Sequence, residues 1–236
     1  MRIEAMHYDF KMKFNKIDSQ SNRNFKVPEI DWLLNEAAEI FVKMIAEPRI
    51  RKELGFETSQ RTLEDIASIV VSNDNDWSSV TNNVLTLPDD YWYLIKGRIK
   101  VTKGVCKNIV ARFHLTQHDD MNEEKPLYKS SFEWRRFNAH RFDGGIKFFD
   151  DDGIFTITDG CINYIRRMSF MHNANAYVNN TYISAEGVTL TGTEDCELPV
   201  TTHSEIVDIA VLLASGNIQT SDYQVKLNKL KLNELT

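Results

Sequence analysis

The sequence predicts an α+β fold in which terminal helices pack together around an inserted, antiparallel β-rich segment. Apolar residues recur at helical spacing over 28–45 and again over 202–213. Between these two stretches, several runs alternate apolar and polar residues, which is the pattern of half-buried strands. Each helix would be poorly buried alone, so we expect the two to pair. The strands between them then form a sandwich or a partial barrel.

The composition changes along the chain define five segments. Residues 1–27 are polar and uneven, and we interpret them as an extended N-terminal arm that is ordered only by what it contacts. A helical part follows over 28–72, and the β-rich insertion covers 73–200. The C-terminal helix occupies 201–218 and packs on the helical part. The chain ends in an extended tail, 219–236.

The first helix has a clear beginning and a clear end. Pro28 suits the first helical position, and Glu29 and Asp31 complement the positive end of the helix dipole. Pro48 ends or kinks the helix, and a second short helix is predicted at 62–71. The apolar positions of the first helix are Ile30, Leu33, Leu34, Ala37, Ala38, Phe41, Met44 and Ile45.

The β-rich insertion begins with a long predicted hairpin. Apolar and polar residues alternate over 91–101 and over 105–115, with a Lys-Gly turn signal between them. This alternation predicts one buried and one solvated face, with Ile95 on the buried face. Shorter strand patterns separated by Asp-Gly turns follow. The backbone state of 130–142 is not predicted by its pattern.

The C-terminal helix carries a capping box. Thr202 is the expected N-cap residue, and Glu205 is the acidic residue that completes the box. Gly216 and Asn217 are natural terminators. The apolar stripe consists of Ile206, Ile209, Ala210 and Leu213.

Composition excludes several classes of protein. The 236 residues carry a formal net charge of −6, so the chain as a whole is a poor electrostatic partner for nucleic acid. The three cysteines are an odd number without a CxxC pair, which favours a reducing compartment. We interpret Cys106 and Cys161 as small core residues. The N-terminus lacks the apolar run of a signal peptide, and no segment is long and apolar enough for a membrane span, so we expect a cytosolic protein.

Catalytic and metal motifs are weak in this sequence. It contains no GxSxG, Walker, GxGxxG or HExxH motif, and we expect a protein that is not an enzyme and has no cofactor. The best metal-like cluster is His114, His118 and Asp120, where a strand runs into a loop. This cluster supports the hypothesis of a metal-dependent hydrolase, the weakest of the three functions that we consider. The acidic run 150–152 is interpreted as a hairpin turn, although calcium binding between subunits stays open.

A basic and aromatic segment at 130–142 admits three interpretations. Its rings and arginines fit nucleic-acid stacking, a protein interface, or a core cluster with solvated arginines. The acidic balance of the chain argues against free nucleic acid, so we favour the interface. The interface candidates in this segment are Phe132, Trp134, Arg135, Arg136, Phe137 and Arg141.

The C-terminal tail alternates apolar residues with lysines. Extended, such a strip reaches about 60 Å, and we expect it to dock on another subunit and to become ordered there. The alternative is that it folds back on its own sheet. The candidate contact residues are Tyr223, Val225, Leu227, Leu230 and Leu232.

Three stretches resemble a known class of proteins. They are "VPEIDWLLNEAAEIFVKMIAEPR", "GFETSQRTLEDI" and "ELPVTTHSEIVDIAVLLASGNIQTSDYQ". They resemble virion structural proteins of short-tailed bacteriophages, crAss-like phages in particular, and the closest role is a neck or tail ring of the head-to-tail connector. The general plan also resembles tail tubular protein A-like adaptors. The similarity covers both ends of the chain and little of its middle.

The resemblance implies a virion protein that assembles in the host bacterial cytoplasm. It implies a cyclic homo-oligomer, a dodecamer matching the portal, that contacts the portal protein and other connector or tail rings. DNA would pass through the lumen without sequence-specific binding, and no membrane partner is expected. The acidic balance suits a channel through which a polyanion slides. A glycan- or protein-binding β-sandwich module, such as a receptor-binding or decoration protein, remains the alternative.

Overall fold

The predicted α+β class is confirmed by a computed structural model of the chain. The chain divides into two compact units, which we call the helical unit (Met1–Ile69 and Met168–Thr236) and the sheet unit (Val70–Arg167). The predicted insertion, 73–200, therefore extends beyond the sheet unit into residues of the helical unit. The described residues are 2–15, 25–46, 64–74, 76–116, 130–142, 144–149 and 155–217.

The helical unit contains α1 (Ile3–Asn15), α2 (Val27–Ala46) and α3 (His203–Asn217). Helix α3 packs against both α1 and α2, so the expected packing of the terminal helices is confirmed. Helix α3 is buried nearly all round because it has a neighbour on two sides. Its buried apolar residues are Ile206, Val207, Ile209, Ala210, Val211 and Ala214. Thr202 is buried at its start, where the hydroxyl donates to the Pro199 carbonyl at 2.9 Å.

Helix α1 corrects the predicted N-terminal arm. Ile3, Met6, Phe10 and Phe14 are buried, each at most 4% exposed. They are three or four residues apart, so they share one face of a helix. Charged residues between them, such as Lys11, give the segment its polar appearance and conceal this spacing. Part of the predicted arm, 16–24, lies outside the described residues.

The sheet unit is a curled, mostly antiparallel half-barrel. The strand order is β1-β8-β4-β5-β6-β7-β3, and β2 pairs with β8. Strands β5 and β6 form a parallel pair, whereas the other neighbours are antiparallel. The strands are β1 (Val70–Ser72), β2 (Ser78–Ser79), β3 (Val84–Leu85), β4 (Tyr91–Lys103), β5 (Cys106–Leu115), β6 (Arg136–Phe142), β7 (Gly145–Phe148) and β8 (Thr156–Arg166).

The predicted long hairpin corresponds to β4 and β5. Ile99 lies opposite Ala111, and both are buried on the inner face of the sheet. Gly97 allows the Phe113 ring to approach the backbone, because a Cβ at this position would lie 2.1 Å from the ring. The remaining core consists chiefly of Leu85, Val101, Phe137, Ile146, Phe148 and Tyr164.

Two residues of the hairpin differ from their predicted environment. Ile95 is 43% exposed, because the pairing of β4 with β8 shifts register between Leu94 and Lys96. Cys106 is exposed because it follows the hairpin turn directly, whereas Cys161 is buried as expected.

Short elements complete the two units. The predicted helix at 62–71 is, over its described residues, one short turn with a 3₁₀ segment at Ala67–Ile69, and it is followed by β1. The helical unit also holds two small antiparallel ribbons. They pair β9 (His172–Asn173) with β12 (Thr193–Glu194), and β10 (Thr181–Ile183) with β11 (Thr189–Thr191). Of the helices in these described ranges, none combines the length and the apolar character that crossing a membrane requires.

Candidate functional site

A buried charge lies at the centre of the helical unit. Asp31 of α2 is 0% exposed, and its Oδ1 lies 2.6 Å from Nε2 of His7 of α1. Its Oδ2 accepts hydrogen bonds from the Tyr182 hydroxyl at 2.6 Å and from the Asn173 amide at 3.2 Å. The carboxylate thus joins α1, α2, β9 and β10 through donors that replace the water lost on burial.

The Tyr182 hydroxyl is held in its protonated, donating form. Burial raises the pKa of this phenol most, and the hydrogen bond to Asp31 and its negative charge raise the pKa further. The short contact to Asp31 places a proton on Nε2 of His7, since a carboxylate can only accept.

A cleft of about 410 Å³ adjoins this centre. It is lined by Glu4, His7, Tyr8, Lys11, Val27, Asn173, Asn175 and Ala176. A His–Asp pair beside a cleft is the arrangement of a general base. Nucleophilic catalysis would also need a hydroxyl or thiol close to the imidazole, and the described residues that line the cleft include no serine, threonine or cysteine. The contact between His7 and Asp31 joins α1 to α2.

Sequence reasoning assigned Asp31 a different role. We expected it to complement the positive end of the α2 helix dipole. A signal was nevertheless present, because Asp31 lies three residues before Leu34 and seven before Ala38, both of which are buried. An acidic residue on the buried stripe of an amphipathic helix indicates a partner in the core.

The metal hypothesis concerns residues that are only partly described. His114 lies on β5 and is exposed, while His118 and Asp120 lie outside the described residues. Within the portion of the chain that the structure describes, no group of three or more His, Cys, Asp or Glu side chains is placed to hold a metal ion. The acidic turn at 150–152 also lies outside that portion.

The interface candidates of 130–142 divide into buried and exposed residues. Phe137 is 0% exposed and belongs to the core of the sheet unit, so its assignment to an interface is corrected. Phe132 packs against the same core, with the Lys103 ammonium 5.4 Å from its ring centre. The Arg141 guanidinium lies 4.9 Å from the ring centre of Tyr91. Trp134, by contrast, is 83% exposed.

A closed turn presents Trp134 to solvent. The Ser131 amide donates to the Arg136 carbonyl at 2.8 Å, and the Arg136 amide donates back at 3.1 Å. Arg135 has φ +50°, in the left-handed region that non-glycine residues seldom adopt. The Lys103 ammonium lies over the ring of Phe132, which belongs to this closed turn. The β4–β5 turn, which directly follows Lys103, therefore lies close to the closed turn. Val105 in that turn is 97% exposed.

Three arginines lie side by side on the outer face of the sheet. Arg112 lies directly opposite Arg98 on one side and Arg136 on the other. Arg98 is neutralised by Asp74 at 2.6 Å. No ion pair to Arg112 or Arg136 is formed by any other residue of the described ranges. Like charges directly opposite each other destabilise a sheet, so this arrangement favours an anionic partner for Arg112 and Arg136.

We call the outer side of the sheet unit between the β4–β5 turn and the level of Arg112 the tip surface. It combines exposed apolar side chains with a high density of positive charge, which is the combination found in interfaces anchored by Trp and Arg. Its residues are Lys103, Val105, Lys107, Arg112, Trp134, Arg135 and Arg136. The candidates in the tail, Tyr223, Val225, Leu227, Leu230 and Leu232, lie outside the described residues.

No family model matches the chain, and no curated protein matches it at a significant level.

Proposed function

We propose that this chain is a virion structural protein that forms a ring in the head-to-tail connector or tail of a tailed phage. The ring bridges portal and tail and surrounds the DNA channel, through which DNA passes without sequence-specific binding. The chain assembles as a cyclic homo-oligomer, a dodecamer, and contacts the portal protein and other ring proteins. It assembles in the host bacterial cytoplasm and acts without catalysis or a cofactor.

The tip surface is the observation that carries this proposal. A side chain such as Trp134, held 83% exposed on a closed turn, contributes little to the fold of its own subunit. Exposed apolar residues beside exposed arginines are typical of protein interfaces. A protein whose work is assembly needs such surfaces.

Two further observations support the proposal. Two of the three stretches that resemble phage connector proteins contain α2 and α3, which pack together as the adaptor plan requires. The buried Asp31 centre also has a structural role, since three donors occupy its carboxylate.

Locating the chain in purified particles tests the proposal. Antibodies against the purified chain, labelled with gold, are expected to mark the neck or tail of the phage that encodes it. Mass spectrometry of the same particles is expected to give the copy number of one ring. Labelling spread over the capsid, or absence from purified particles, contradicts a connector role.

The exposed Trp134 also favours a second candidate, a glycan- or protein-binding module. An exposed aromatic ring on a rigid turn is a typical recognition platform. This candidate predicts binding of cell-surface glycans on an array, with loss of binding in Trp134→Ala. It also predicts labelling of the outer surface or fibres of the particle rather than its neck.

A further inference from the structure

We infer that the tip surface of one copy docks on the outward face of α2 in a second copy. This inference rests on the proposed function, since it supplies the contact by which subunits would join. The face of α2 is defined by four exposed side chains, and we call it the acidic face. Its residues are Glu29, Trp32, Glu36 and Glu39.

The acidic face forms a single stripe along α2. Its members are spaced three, four and three residues apart, so they lie in line on one side of the helix. Trp32 is 53% exposed, with Glu29 about one turn before it and Glu36 about one turn after it along the stripe. Glu39 has a Lys43 neighbour at 3.1 Å, but this exposed i,i+4 pair is weak and exchangeable.

The two surfaces are complementary in charge. The tip surface holds five basic side chains, and Glu133 is the one acidic side chain in its closed turn. The acidic face offers three carboxylates in the same area as an apolar ring. Guanidinium and carboxylate groups pair in a two-pronged geometry that gives orientation as well as affinity. Each surface thereby supplies the charge that the other lacks.

The spacing of the charged groups also matches. Arg112 and Arg136 lie on neighbouring strands, about 4.8 Å apart. Glu36 and Glu39 lie at i and i+3 on a helix, where Cβ atoms are about 5–6 Å apart. Two parallel arginine–glutamate pairs can therefore form together, with Trp134 placed to approach the apolar centre of the stripe.

The chemistry favours a second copy over a nucleic acid. Phosphates would use the arginines but would leave Val105, 97% exposed, without an apolar partner. The acidic face would repel a polyanion and would therefore have no partner in a complex with nucleic acid. A contact between two different surfaces of identical chains is heterologous, and such a contact generates a ring where its repeated rotation closes.

Charge reversal in the full chain tests the contact. The tip variant is R112E/R136E, the helix variant is E36R/E39R, and a fourth chain carries all four substitutions. The matched controls are K147E/R167E in the sheet unit and E186R/E194R in the helical unit, all at exposed positions. Self-association is measured by analytical ultracentrifugation over a range of salt, and circular dichroism verifies the fold of every variant.

Each reversed variant alone is expected to lose about tenfold or more in self-association. Association should return in the chain with all four substitutions, and also when the tip and helix variants are mixed. The controls should behave as wild type.

A second measurement leaves every charge intact. A photo-crosslinking residue placed at position 105, instead of Val105, is expected to attach to residues 29–43 of a neighbouring copy.

Several results would overturn the inference. One is a wild-type chain that stays monomeric and forms no crosslink. Others are a chain with all four substitutions that does not regain self-association, and a crosslink that maps outside α2. Binding of short single- or double-stranded DNA, lost in the tip variant and unchanged in the helix variant, would assign the surface to nucleic acid. Gold labelling of the neck in the same phage would leave the proposed ring standing while this contact fails.

Discussion

At the scale of single residues, the buried carboxylate of Asp31 has the largest consequences. A carboxylate removed from water is strongly destabilising unless hydrogen bonds replace its hydration. The imidazole of His7, the phenol of Tyr182 and a backbone amide supply those bonds. The same contacts make the helical unit sensitive to any change that removes a donor, and Tyr182 provides the clearest test.

We expect Tyr182→Phe to lower the free energy of unfolding of the helical unit by about 1.5–3 kcal/mol at pH 7, the usual range for a hydrogen bond to a charged group. Below pH about 10 the phenol is protonated in the folded and unfolded chain alike, so its contribution is complete. Above that pH the unfolded chain releases the proton, while the raised pKa of Tyr182 keeps it in the folded chain. The stabilisation is therefore lost as the pH rises.

Urea titrations followed by circular dichroism at 222 nm, which reports mainly the helices, measure this effect. The difference between wild type and Tyr182→Phe should shrink as the pH rises above 10. Tyr177→Phe is the control, since it removes a phenol from the same part of the chain. A difference that stays constant with pH would show that the Tyr182 phenol does not remain protonated in the folded chain.

The sequence predicts these residues unequally well. The core position of Cys161 followed from alternation, whereas Ile95 did not, because a register shift in β4 turns it outward. Phe137 could not be separated from Trp134 by composition, since both lie in one aromatic and basic run. Only strand pairing with β5 decides which ring enters the core. The partners of Asp31 lie far away in the sequence, so the centre itself was not predicted.

At the scale of elements, α1 is the main correction to the sequence-based interpretation. An arm would contribute nothing to the stability of its own subunit, whereas α1 places four apolar side chains in the core. It also supplies His7 to the Asp31 carboxylate. Over its described residues the helical unit is therefore built from three helices, and it depends on the first fifteen residues of the chain for part of its core.

We expect Phe10→Ala to destabilise the helical unit by about 3–5 kcal/mol, the usual effect of removing a fully buried phenyl ring. Tyr8→Ala is the matched control on the same helix, because Tyr8 is 68% exposed and should change stability by less than about 0.5 kcal/mol. Thermal and urea unfolding at 222 nm measure both. Equal and small effects would mean that α1 behaves as the arm that the sequence analysis described.

The long hairpin shows which elements a pattern can predict. Its strands alternate over many residues and are joined by a tight turn, so local rules suffice. The parallel pairing of β5 with β6 is different, since a segment outside the described residues separates the two strands. Such pairing depends on contacts distant in sequence, and no local pattern specifies it. The tip surface is created by this pairing, so its geometry was not predictable, although three of its residues, Trp134, Arg135 and Arg136, were named as interface candidates.

At the scale of the whole molecule, positive and negative side chains are concentrated in different parts of the chain. The described sheet unit presents a basic end, whereas α2 presents an acidic stripe and the whole chain is acidic at −6. A monomer gains little from this distribution. Copies that meet by unlike surfaces gain orientation and are prevented from pairing like to like. The distribution of charge therefore favours directional assembly, which a ring requires.

The tail, 219–236, is expected to act between subunits rather than within one. Helix α3 is described as far as Asn217, and the last buried residues within its described range are Ala214 and Ser215. If the tail docks on another subunit, deleting 219–236 should change the free energy of unfolding at 222 nm by less than about 0.5 kcal/mol. The same deletion should block the stacking of rings and leave phage particles without attached tails, as seen by electron microscopy.

The tail experiment needs a control that separates apolar contacts from charge. Replacing Lys226, Lys229 and Lys231 by serine keeps Leu227 and Leu230, and it should preserve stacking if burial of the leucines drives docking. Replacing the two leucines by serine should block stacking as the deletion does. Normal particles from the deletion would refute a role in assembly. A marked loss of stability in the purified chain would instead show that the tail folds back on its own subunit.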